Sequence, residues 1–207
     1  MEDGRPRQGE DLVAAGFAGL AGTVWIVKRK RDALLQRFSQ RYLDNMLELA
    51  AYCGEIPRSA AGPERDETAS GVIGEDEGRW SAVWRAGEGG ILKAVWDFSG
   101  SCGLGMTAAL RRIPIRQETV ELCEWLGLNP YRLYSRGCVL FTAANGGRLA
   151  QELNETGVPA AVIGAVTGDF VRRVTVENGL GFLERPRPDE LGKIALDTYP
   201  FRTEKPG

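Results

Sequence analysis

Histidine is absent from this chain of 207 residues. Imidazole general-base catalysis and histidine-containing metal sites are therefore excluded. Cysteine is scarce. Cys53, Cys102, Cys123 and Cys138 stand apart with no C-x-x-C pair, so a structural zinc site is not expected, and free buried thiols are expected in place of disulfides. No stretch approaches the run of about 18 apolar residues that a membrane span needs. The N-terminal MEDGRPRQGED is polar and acidic and lacks the apolar centre of a signal peptide. The chain reads as cytoplasmic, with no membrane partner. A formal charge of −2 gives no basic surface for a nucleic acid. There is no P-loop, and no cluster of carboxylates placed to grip magnesium.

What is present is a core and a glycine turn. Apolar residues make up 43% of the chain, enough to build an interior. The stretch that organises the chain runs from Trp84 to Glu124. Gly87, Gly89 and Gly90 open backbone angles closed to other residues, and Ile91, Leu92, Ala94, Val95 and Phe98 then repeat at helical spacing. A glycine turn entering a helix leaves backbone N–H groups pointing outward at the positive end of the helix dipole, which suits an anion, often a phosphate. A tight turn with no ligand explains the same glycines and is the commoner use of such a cluster.

The pattern predicts the remaining elements in order. Residues 1–10 read as disordered. Asp11 to Ala15 is a short strand, and Gly16, Gly19 and Gly22 let a helix start close to it. Their spacing is not that of a dinucleotide fingerprint. Helices are expected at 20–36, 40–54, 90–102, 117–126 and 146–156, the second capped by Ser39. In the fourth, Val120, Cys123 and Trp125 pack while Thr119, Glu121 and Glu124 face water. Strands are expected at 79–85, 104–110, 138–143, 160–166, 171–176 and 181–183, with a hairpin turn at Asn178-Gly179. Residues 57–79 read as a long mobile loop and residues 186–207 as a tail. The body, 11–185, is predicted to be one α+β domain, a mixed sheet of roughly four to six strands with helices packed on one face. A bare second face would expose a large apolar patch, so a homodimer or a separate partner is expected to cover it.

Several segments carry a family likeness. EGGI at the glycine turn, the helix ending near Gly103, the strand into Ile113-Pro114-Ile115 and the following RQETVELCE are similar to the C-terminal domain of the AIR synthase-related (PurM-like) superfamily. GEDLVAAGFAGLAGT at 9–23, LNPYRLYSRGCVLFTA at 128–143 and PAAVIGAVTGD at 159–169 add to the likeness. The superfamily includes aminoimidazole ribonucleotide synthase, thiamine monophosphate kinase, selenophosphate synthetase and the hydrogenase maturation factor that makes the cyanide ligand. The chain resembles the hydrogenase-maturation-factor-like group most.

The resemblance implies a site near an interdomain cleft and also marks departures from it. Relatives have a histidine-aspartate pair before the glycine turn, where this chain has Trp84 and Arg85. A guanidinium there reverses the local charge. It can hold an anion but cannot coordinate magnesium or act as a base. Arg136 stands between Ser135 and Gly137, where relatives have an acid or a small residue. The maturation factor carries its reactive thiol on a C-terminal cysteine, whereas this chain ends TEKPG, so the carbamoyl-carrying step is not expected. The ATP- and magnesium-binding lobe of the superfamily would lie before residue 9.

Candidate anion-binding residues are Arg85, Glu88, Gly89, Gly90, Arg111, Arg116, Ser135 and Arg136. No catalytic or metal residue is assigned. The expected function is a stand-alone domain that binds a small phosphorylated ligand or a partner without catalysing alone. The alternatives are the C-terminal half of a split ATP-dependent enzyme, with ATP and magnesium brought only by a separately encoded lobe, and an inactive truncated remnant.

Overall fold

The fold is given by a computed structural model that describes residues 5–54, 79–176 and 179–195. Strands β1 (Asp11–Ala15), β2 (Ala82–Arg85), β3 (Gly105–Ala109), β4 (Val139–Ala143), β5 (Ala160–Thr167), β6 (Arg172–Val176) and β7 (Gly179–Phe182) form one seven-stranded sheet in the order β2-β4-β1-β5-β3-β6-β7. All neighbours are antiparallel except β3 and β6, which run parallel. The helices are α1 (Leu20–Leu34), α2 (Gln40–Glu48), α3 (Gly90–Cys102), α4 (Gln117–Leu126), α5 (Gly146–Glu155) and α6 (Leu191–Ala195). The expected α+β class holds, with seven strands in place of four to six because the short β2 and β7 pair at the two edges.

Side-chain alternation explains the layers. On β1, Leu12 and Ala14 point to one face and Val13 and Ala15 to the other, and all are fully buried. The first face packs against Ile91, Ala94, Val95 and Phe98 of α3. The second packs Val13, Val83 and Phe141 against Leu149, Ala150 and Leu153 of α5. One helix therefore lies on the face expected to be bare. The apolar runs DLVAA and CVLFTA are those of strands covered on both sides. That cover does not reach the far end. There Thr107 pairs with Arg173 and Arg173 with Phe182, and Leu180 and Phe182 are 64% and 76% exposed.

A third core joins α1, α2, α4 and α6 through Ile26, Leu34, Leu43, Met46, Leu122 and Ile194. Ser39 caps α2 as expected, accepting from Tyr42 N–H at 3.3 Å. Helix α4 is rotated from the expected register. Thr119, Leu122, Cys123 and Leu126 are buried, and Val120 is 40% exposed. The stripe at i, i+3, i+4 and i+7 is the helical one, and Thr119 tolerates burial because its hydroxyl meets that of Thr23 at 3.0 Å.

Among the described residues, 7–10 and 183–194 are more engaged than a disordered start and a tail would be, while 1–4 and 196–207 lie outside the described residues. Gly9 N–H donates to Val166 carbonyl at 3.0 Å, and the Ser81 hydroxyl donates to the Glu10 carboxylate at 2.5 Å. Of the segment expected to be a tail, residues 186–195 are described, and Glu190 and Ile194 in it are buried against the body. The loop expected at 57–79 lies, apart from Arg79, outside the described residues, as does Asn178 of the hairpin turn.

Candidate functional site

Two helices begin in the same way. After β1, Gly19 takes the left-handed conformation and starts α1; after β2, Gly89 does so and starts α3. A helix start leaves backbone N–H groups without intrahelical partners. At α1 the Gly19 N–H donates to Ser135 Oγ at 2.9 Å, and that hydroxyl donates on to the Leu133 carbonyl at 2.8 Å. At α3 the Gly89 N–H donates to Asp189 Oδ2 at 2.7 Å. The position read from sequence as an anion seat is therefore occupied by an anion, the chain's own carboxylate.

The glycines are needed for close approach. Gly90, at φ 71°, would place a Cβ 2.4 Å from the Tyr131 carbonyl oxygen. The Gly87 carbonyl accepts from both Gly90 N–H and Ser135 N–H at 3.1 Å. Gly89, Gly90 and Ser135 thus converge, with Ser135 fully buried as a structural link.

The other candidates do not join them in one cluster of contacts. Arg116 forks onto Glu118 at 3.1 and 2.8 Å and lies over the Phe17 ring. The hydrogen bond from Arg116 holds the Glu118 carboxyl below its ordinary range. Arg111 is exposed on the turn after β3, and its charge acts on Tyr131. Arg136 is exposed beside Ser135, Glu88 is exposed in the glycine turn, and Arg85 is half-buried at the end of β2. Trp84, next to Arg85, stacks on Phe98 with ring centroids 5.7 Å apart.

Sequence reading missed Asp189, Arg132 and the groove they border. An open groove of about 930 Å³ runs between residues 127–132 and 187–193, lined by Leu128, Tyr131, Arg132, Arg187, Asp189 and Lys193 among others. Its cations are paired: Arg132 and Arg187 each meet Glu184 at 2.9 Å, and Lys193 meets Glu190 at 2.5 Å. Glu190 is 5% exposed and also accepts from Asn129 N–H at 3.2 Å. Asp189 Oδ1 accepts from Leu191 N–H at 2.8 Å, so the residue caps α6 while its other oxygen caps α3. An aspartate two residues before a short helix is a cap signal, but in a stretch rich in proline and charge it passes as tail composition.

Asp189 sits in an imperfect place. Burial pushes its carboxyl above the ordinary carboxylate range, the backbone N–H groups of Leu191 and Gly89 and the Tyr134 backbone pull it back, and the charge of Glu88 pushes it up.

The thiols are not poised for chemistry. Burial pushes Cys123 and Cys138 up to about 12 and raises Cys53 and Cys102 as well. In the native protein a maleimide at neutral pH should label Cys53 and Cys102, which are part-exposed, and spare Cys123 and Cys138. All four should react in denaturant, and labelling of Cys138 in the folded state would contradict this packing. Magnesium, which the superfamily likeness implies alongside ATP, is not matched by the residues present: among the described residues no three Asp, Glu, Cys or His side chains come together. No described helix is long and apolar enough to cross a membrane.

No protein-family model matches the chain. Carbamoyl dehydratase HypE of Azotobacter vinelandii is 32% identical over 97 residues, which are 45% of this chain and 28% of that protein. The solved structure of Escherichia coli HypE, a hydrogenase maturation protein, matches with a TM-score of 0.60 at 22% identity, over 88% of this chain and 52% of that one. A HypE structure in complex with ATP gives 0.59 at 16% identity, over 89% and 53% of the two chains. A HypE–HypF complex gives 0.60 at 13%, over 88% and 54%. Thiamine-monophosphate kinase from Stenotrophomonas maltophilia K279a matches at 0.53 and 16%, over 82% and 51%. The chain spans about half the length of these structures.

Proposed function

We propose, starting from a chain that has the fold of the AIR synthase-related superfamily and resembles HypE in sequence, that it binds a small phosphorylated ligand or a protein partner and does not catalyse alone. The observation that carries the reading is the Gly89 N–H donating to a carboxylate at the start of a helix of 13 residues. Aligned backbone N–H groups and the dipole favour negative charge there. With no imidazole in the chain and no acidic cluster among its described residues, phosphoryl transfer would need groups brought by another polypeptide.

A second reading is favoured by a specific observation. A structural neighbour is a HypE in complex with ATP and another a HypE–HypF complex, and the exposed Leu180 and Phe182 offer an apolar surface to a partner. On that reading the chain is the C-terminal half of an ATP-dependent enzyme, with ATP and magnesium held by a separately encoded lobe.

Thermal unfolding with added ligand tests both. Pyrophosphate at about 100 times its Kd adds about 2.7 kcal/mol to stability, a rise in Tm of roughly 5–10 °C for a domain of this size. Magnesium-ATP should leave the purified chain without hydrolytic activity. Hydrolysis by the chain alone would overturn the proposal, and activity that appears only when an aspartate-rich lobe is added would favour the second reading.

A further inference from the structure

We infer that the segment from Leu183 to Ala195 is an internal competitor for the anion site, and that its release both vacates the Gly89 N–H and frees Arg132 to bind phosphate. This rests on the anion-binding reading above and adds its regulation.

The seat is surrounded by cations that the sequence reading did not connect to it. Gly89, Lys93 and Arg132 border one small void of about 10 Å³, closed on its other side by Leu183, Glu184 and Arg187. That volume does not hold even one water molecule comfortably. The donor and the two cations that the body contributes are each matched by an acid, and the docked segment adds Arg185 and Arg187 to the lining. Asp189 takes the Gly89 N–H, Glu184 takes Arg132, and Asp97 pairs with Lys93. Two of those three acids, Asp189 and Glu184, belong to the docked segment. With the segment in place the Gly89 N–H and Arg132 are both taken and the space is filled. With it lifted, the Gly89 N–H and the Arg132 guanidinium lose their acids and face the same space, a backbone donor beside a cation that together suit a phosphate, while Lys93 stays paired with Asp97 of its own helix.

The docking is reversible by design of its contacts. Leu183 and Ile194 are buried anchors, whereas residues 184–188 between them are exposed. Asp189 is held by backbone groups alone, without a cation, while the charge of Glu88 acts against it. A partly buried carboxylate whose lost hydration no cation offsets is a weak occupant. The Arg132–Glu184 pair adds little, since Glu184 is mostly exposed. A dianionic ligand carries more charge than Asp189 and should displace it.

A ligand whose competent state is only fractionally populated binds with its affinity reduced by that fraction. If the segment is docked nine-tenths of the time or more, removing its carboxylate tightens binding about tenfold or more. The experiment is calorimetric titration of the full chain with inorganic pyrophosphate, with the Gly89 amide followed by nuclear magnetic resonance. Asp189→Ala should bind at least about tenfold tighter than wild type, with a larger Gly89 shift. Arg132→Gln in that background should return binding to the wild-type level or weaker. Glu184→Gln leaves Asp189 in place and should tighten binding by a smaller factor, which keeps the test open if Asp189→Ala does not fold. Equal affinity in wild type, Asp189→Ala and Glu184→Gln, with the same Gly89 shift, would overturn the competition and leave anion binding standing. No binding by any of the variants would overturn both.

Discussion

Alanine at Gly90 should destabilise the chain by more than about 2 kcal/mol, while alanine at Gly87 should change stability by less than about 0.5 kcal/mol. The two glycines belong to one turn and differ in backbone conformation and in what surrounds them. Gly90 has φ 71°, where a Cβ costs roughly 1–2 kcal/mol. That Cβ would also lie 2.4 Å from the Tyr131 carbonyl oxygen and 2.8 Å from the Arg132 backbone, so the start of α3 and the 130–132 turn must part. A Cβ on Gly87 meets nothing within 4 Å. Urea unfolding of the two variants checks this, read at the midpoint with an unchanged slope. Equal losses at both positions would mean that the turn needs flexibility in general, not close approach at one residue. Gly90→Ala should weaken pyrophosphate binding too, because the Gly89 N–H and Arg132 face each other across the same contact.

Phe98→Ala should cost about 3–5 kcal/mol, a large share of the roughly 5–15 kcal/mol that holds a domain of ordinary size together. Phe98 is fully buried in the core between α3 and the sheet, stacked on Trp84 and sharing that core with Met106 and Ile163. Its removal leaves a cavity that the sheet cannot close, because β2 and β3 are fixed by their own strand pairings. Phe98→Leu keeps most of the volume and should cost much less, nearer 1–1.5 kcal/mol. Denaturation curves followed by the combined fluorescence of the five tryptophans report the stability. A small effect of Phe98→Ala would mean that α3 is held by its N-terminal contacts and not by this core.

The two glycine-started helices show why some of this was legible in the sequence. Helix α3 runs from Gly90 to Cys102 between left-handed Gly89 and Gly103, and both ends were readable because only glycine adopts those angles without strain. Strand β1 matched its expected bounds because DLVAA lies between a polar stretch and Gly16. Helix α4 matched in extent but not in rotation. Its buried face is set by Thr119 meeting Thr23 across 96 positions in sequence, a polar contact that apolar periodicity does not report.

The candidate site divides along the same line. Local chemistry was enough to mark Gly89 and Gly90 as a turn that starts a helix, since positive φ before an apolar helical repeat is a local requirement on the backbone. The scattered arginines were marked by charge alone, and folding placed them apart: Arg116 went to Glu118, and Arg136 to the surface. The occupant of the turn came from 100 residues further along the chain, out of a stretch that composition reads as solvent-facing. Which helix covers which face of the sheet was likewise decided by strand order, which no strand specifies by itself. The sequence alone marked the strands, the five longer helices and the glycine turn before α3, but not α6 in the stretch read as a tail, because the former follow from dihedral limits and side-chain period over a few residues. Only the tertiary structure decided that a carboxylate of the same chain fills that turn and that Arg132 stands beside it, because both depend on contacts between segments far apart in sequence.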